Sequence, residues 1–270
     1  MSQSTSNVSN LLSSAKNDGT LSPTAVNAIE ILDLGDQMQA AMGVDIEDVD
    51  ASDVILLAIL IDDSGSIRFS NNSQIVRDGH SLVLDAMEDS KQKDNIFVLT
   101  QLLNGEVISP FGPLDKTVRL DSQNYNPNKG TPLYDQSIAF LGAVSAKAQE
   151  FEDNGVSVKS IVLIISDGDD QGSFVHTTPS KVEPLITDLL KTENYIIATM
   201  GIDDGHTNFK DVFTKMGIPE QWIMTPSNDP ASIRKEFQLF SQSSSQAVQG
   251  GKNFSQVALG GGFVSLDLED

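Results

Sequence analysis

The chain has 270 residues, 39% of them hydrophobic and 20% charged, with no cysteine and a formal net charge of -21. That length suits one large α/β domain or two small ones. The absence of thiols excludes disulfides, zinc–thiolate sites and cysteine catalysis and fits a reducing compartment, while so acidic a surface repels nucleic acid and anionic membranes.

The first ten residues, Met1-Ser-Gln-Ser-Thr-Ser-Asn-Val-Ser-Asn10, lack the basic start and apolar stretch of a secretory leader. No run of eighteen apolar residues follows, so no membrane span is expected and the cytoplasm is the expected setting. Residues 1–20 are Ser/Asn-rich and read as a disordered tail. Residues 21–53 read as an N-terminal helical extension. Its start is marked by Ser22 as cap, Pro23 at the first helical position and a Leu21/Val26 staple. One helix is expected to Met42, stopped by Gly43, and then an acidic connector over 45–53.

From residue 54 apolar runs alternate with amphipathic segments, the pattern of a sheet covered by helices. Val54–Ile61 and Val158–Ile165 read as buried strands. Ile75, Val76, Gly79, Leu82, Val83, Ala86 and Met87 mark the face of a helix between them. Asn104-Gly105 between Ile96–Leu103 and Glu106–Ser109 predicts a hairpin, hence one antiparallel strand beside parallel ones. A helix over about 133–150, a helix over 181–191, a strand at Tyr195–Met200 and a short helix near 209–216 follow. Strand Trp222–Met224 and a helix over 229–242 end the series. The expected fold class is α/β: a doubly wound, mostly parallel, Rossmann-like central sheet with one antiparallel edge strand and helices on both faces. Residues 54–242 form this domain, and 243–270 are a Ser/Gly-rich tail in which Val264, Leu266 and Leu268 alternate as a candidate edge strand.

Ligands of open α/β sheets bind beyond the carboxyl ends of the strands, where strand order reverses. Three loops lie there: Asp62-Asp63-Ser64-Gly65-Ser66, Gly130-Thr131-Pro132-Leu133-Tyr134-Asp135, and Ser166-Asp167-Gly168-Asp169-Asp170. If the two buried strands are neighbours, Asp62 and Asp167 meet across the crevice. Their carboxylates, with the hydroxyls of Ser64 and Ser66, are the hard oxygen donors that magnesium or calcium takes. Thr131 offers a third hydroxyl, although a threonine before proline is also a good helix cap. Asp63 is expected to face solvent. His80 is expected on an exposed helix face, and no histidine has metal-ligand spacing.

The set D-x-S-x-S at 62–66, G-T-P-L at 130–133 and S-D-G at 166–168 resembles the von Willebrand factor type A (vWA) family, over about residues 54–242. The resemblance implies a metal-ion-dependent adhesion site (MIDAS) of Asp62, Ser64, Ser66, Thr131 and Asp167. It further implies a bound divalent ion (Mg2+, or Mn2+/Ca2+) and a protein partner whose Asp or Glu completes the coordination. The chain looks like the intracellular prokaryotic or phage members, and Phe237–Ser244 resembles the last helix of tellurium-resistance-type members. An adaptor or scaffold role without catalysis is expected, with no nucleic acid or membrane partner. Two alternatives are carried. A metal-dependent hydrolase or phosphatase lacks support from a second acid at position 64 or from a cationic clamp beyond Lys129. A homo-oligomer would use the acidic C-terminal tail as ligand for a neighbouring copy.

Overall fold

The computed structural model describes residues 5–249 apart from 50, 175 and 176. Among the described residues six strands build one sheet: β1 (Asp53–Ile61), β2 (Ile96–Leu102), β3 (Val107–Pro113), β4 (Ser157–Ser166), β5 (Tyr195–Gly201) and β6 (Ile223–Met224). Their order is β3-β2-β1-β4-β5-β6, all neighbours parallel except β2 and β3. The expected mostly parallel sheet with one antiparallel edge is therefore what the chain forms. β3 is antiparallel because the turn after β2 is tight, and Gly105 there has φ +93°, open to glycine at no steric cost. β1 is buried at every residue but its first, as a central strand covered on both faces must be.

β1 and β4 are adjacent and in register from Asp53/Ser157 to Ile61/Ile165. From β1 the chain crosses to β2 on one side, and from β4 to β5 on the other. Right-handed crossovers then put the intervening helices, α4 (Asn72–Glu88) and α6 (Pro179–Lys191), on opposite faces. The β1/β4 pair is thus the point where strand order reverses.

The N-terminal segment differs from expectation. Thr5–Asn17 is helix α1, not a tail, and it packs on α5 (Leu133–Asp153) with Val8, Leu11, Leu12 and Ala15 buried. Those four residues fall at i, i+3, i+4 and i+7, an apolar stripe diluted by serines and asparagines that lower mean hydropathy without breaking the face. The single helix expected to Met42 is two, α2 (Pro23–Ile31) and α3 (Gly35–Ala41), parted at Asp33 with φ +52°. Ser22 caps α2 as expected, its hydroxyl accepting from Ala25 N at 3.2 Å. Together α1–α3 cover the outer side of α5, which is why α5 is buried along nearly its whole circumference. Inside this wrap Lys147 is itself buried. It pairs with Glu150 at 2.6 Å, donates to the Val44 carbonyl and lies 5.1 Å from the Phe151 ring.

On the other face α8 (Pro230–Gln249) packs along α4 and runs past the expected end at 242. The candidate strand at 264–268 lies outside the described residues. Among those described, no helix is long and apolar enough to cross a membrane.

Candidate metal centre

Asp62 follows directly on β1 and Asp167 directly on β4, so adjacent parallel strands deliver both carboxylates to one end of the sheet. The pleat continues one step past β1, with Asp62 N donating to Ile165 O at 3.1 Å. Asp62 is wholly buried. Its Oδ1 accepts from Ser64 N at 2.7 Å, which curls the loop, and its Oδ2 accepts from Ser166 Oγ at 2.8 Å and Asp167 N at 3.2 Å. One carboxylate thereby locks both loops. The Ser64 and Ser66 hydroxyls lie 2.8 Å apart and both donate to Asp167 Oδ1, at 3.0 and 2.8 Å. Four of the five expected residues are joined in one network.

Thr131, the fifth, stands on the facing loop. It is buried, and its backbone exchanges hydrogen bonds with Gln171, at 3.0 Å from Thr131 N and 2.7 Å from Gln171 N. It does not cap α5; the residue at the cap position is Pro132. Its hydroxyl points toward Gly168, 3.9 Å from where a side chain there would begin. Ser64, Ser66, Thr131 and Asp167 line one cavity of about 710 Å³, with Lys129, Asp169, Asp204, His206 and Asp211 around it. Asp62 does not line it, and reaches it only through its bonds to Ser64 and Asp167.

Burial acts on both carboxyls of this site, and the Asp62 charge acts on Asp167. Burial pushes the Asp62 carboxyl up, against the pull of its hydrogen-bond donors. Burial and the nearby Asp62 charge push Asp167 up to about 7, and its two serine donors only partly offset this. Two carboxylates that ionise reluctantly together, beside three hydroxyls of residues lining the same cavity, suit a hard divalent ion. No three His, Cys, Asp or Glu side chains converge on a metal-sized site among the described residues. What the loops bring together is two carboxylates supplemented by neutral hydroxyls.

Two expectations are overturned. Asp63 does not face solvent: it is buried, with Oδ1 accepting from Asn104 N at 3.1 Å and its carbonyl accepting from Asn128 N and Lys129 N at 2.8 and 2.9 Å. It ties the hairpin turn and the loop before Thr131 to the site, and burial raises its carboxyl to about 6. His80 is not exposed either. It is buried against β2, Nε2 3.0 Å from Thr100 Oγ1, and burial with Arg119 repulsion lowers it to about 4. Two contributors are additional to the expected set: Ser166, and Tyr125, whose buried hydroxyl donates to the Asp62 carbonyl at 2.6 Å. Tyr125 sits in the polar loop 121–130, where a lone aromatic among Asn and Asp residues is the signal that an anchor is present. His176 lies outside the described residues.

No protein-family model and no curated protein matches the chain. Among solved structures it is similar to the pilus adhesin SpaC from Lactobacillus rhamnosus GG, with a TM-score of 0.50 at 10% identity over 73% of this chain and 31% of that one. It is also similar to proximal thread matrix protein 1 from the mussel byssus, with a TM-score of 0.48 at 18% identity over 73% and 47%. A third similarity is to the SpRpn10 VWA domain, with a TM-score of 0.46 at 12% identity over 67% and 93%. The chain spans under half the length of the adhesin and of the byssus protein. At 10% identity the likeness to the adhesin is one of fold.

Proposed function

We propose that this chain is a vWA-type module that binds a protein partner through a divalent metal ion, with no catalytic step of its own. The observation that carries the reading is the convergence on Asp167 of both serine hydroxyls, at 3.0 and 2.8 Å, at the strand reversal and on the floor of a cavity. Asp62, Ser64, Ser66, Thr131 and Asp167 would hold Mg2+, or Mn2+ or Ca2+, directly or through water. Bound there, the ion supplies a Lewis-acidic position for one further anionic oxygen. The protein's own residues orient that position: Asp62 fixes the two loops, and Asp63 and Tyr125 fix Asp62 and its neighbours. A partner Asp or Glu would complete the coordination. The intracellular prokaryotic or phage subtype rests on the sequence resemblance alone.

Hydrolysis is the second reading. Against it, Ser64 stands where an aspartyl-phosphate enzyme needs its second acid, and Lys129 is the one Lys or Arg lining the cavity among the described residues. Capture of partner proteins on the immobilised chain tests the proposal. Binding in Mg2+, release by EDTA and failure of Asp167→Ala to capture are expected. Capture that survives EDTA contradicts it, and Mg2+-dependent turnover of a generic phosphoester would favour the hydrolase.

A further inference from the structure

A module with a net charge of -21 that takes a carboxylate must offset its own field at the point of contact. The two site carboxylates and a divalent ion sum to zero, so the ion by itself leaves the centre neutral. Lys129 is the one Lys or Arg along the cavity wall, among the described residues. Its backbone is pinned on both sides: Lys129 N donates to the Asp63 carbonyl at 2.9 Å, and its carbonyl accepts from Gly65 N at 3.1 Å. It pairs with Ser64 as an isolated parallel bridge, which sets the two backbones about 5 Å apart. The side chain is exposed and makes no ion pair with a described residue. The same cavity is lined by Asp169, Asp204 and Asp211, of which Asp211 is paired with Lys215 at 2.6 Å. An anion entering this cavity is repelled by those aspartates and attracted to Lys129.

Resting on the metal-site reading above, we infer that Lys129 is the specificity residue of the site: it holds the second oxygen of a carboxylate whose first oxygen is on the metal. The ligand class is a monoanionic carboxylate, as on an Asp or Glu side chain, seated on the Ser64 side of the cavity. The ion and Lys129 together carry one net positive charge against the two aspartates, which one carboxylate neutralises. Lys129 thus selects for charge and places the partner, while the five oxygen donors select the metal.

The test uses the full chain with Mn2+ as the probe ion and acetate as the probe ligand. Mn2+ binding is read by electron paramagnetic resonance, and acetate binding by the relaxation that bound Mn2+ imposes on its methyl protons. Lys129→Met is expected to leave Mn2+ affinity unchanged or slightly tighter, since a nearby cation is removed. Acetate affinity at saturating Mn2+ should fall roughly three- to tenfold, the scale of one charge pair at partly screened contact distance. Lys129→Arg should restore most of it. Unchanged acetate affinity in Lys129→Met with Mn2+ still bound overturns the assignment. So does inorganic phosphate outcompeting acetate at equal concentration. Failure of the wild-type chain to bind Mn2+ removes the metal-site reading and this inference with it.

Discussion

Asp63, His80 and Tyr125 show how burial gives a polar residue a task. Each has its polar atom within 3.1 Å of a partner from a distant loop or strand. Tyr125 is the cleanest case, because its hydroxyl supports the backbone of a site residue without touching the cavity. Tyr125→Phe leaves the Asp62 carbonyl without that donor and should cost about 1–2 kcal/mol by urea unfolding. Mn2+ affinity should fall with it, whereas an unchanged Mn2+ affinity would mean that Tyr125 serves the fold alone. His80 gives a pH signature. Its ordinary value near 6.5 is lowered to about 4 in the folded chain, so between these values the unfolded chain binds the extra proton. Stability present above pH 6.5 is therefore lost as pH falls through about 4, by up to roughly 3 kcal/mol. His80→Asn should flatten this part of a plot of unfolding free energy against pH; an unaltered slope would show that another group is responsible.

At the scale of elements, strands were the most legible part of the sequence. Val54–Ile61 and Ile161–Ile165 are apolar on both faces, so only a central strand accommodates them, and Asn104-Gly105 leaves the hairpin little alternative. The site loops followed from these strands, because Asp62 and Asp167 are the residues next after them. Helix α1 was not legible, because its stripe of Val8, Leu11, Leu12 and Ala15 lies in a serine-rich background and closes on α5, far away in sequence. The burial of Asp63 and His80 is illegible for the same reason: what covers them arrives from residues 104 and 128–129, and from Thr100. If α1 belongs to the core, Leu12→Ala should destabilise the chain by about 2–4 kcal/mol in urea or thermal unfolding. A change under about 0.5 kcal/mol would mean that α1 only rests on the surface.

For the whole molecule, the sheet reversal, the two locked loops and the acidic field combine into one device. The fold brings Asp62 and Asp167 together at a cost in buried like charge, and under the proposed reading a divalent cation would offset that cost. A bound ion should accordingly stabilise the folded chain by mass action, about 2.7 kcal/mol at one hundred times its dissociation constant. The N-terminal helices hold α5, and α5 begins two residues after Thr131, so the third hydroxyl is positioned by the same wrap. The most direct measurement is a Mn2+ titration of the full chain followed by electron paramagnetic resonance. One site per chain is predicted, displaced by Mg2+ and abolished in both Asp167→Ala and the Ser64→Ala/Ser66→Ala double variant. Absence of binding in the wild-type chain, or binding that all these variants retain, would contradict the metal centre.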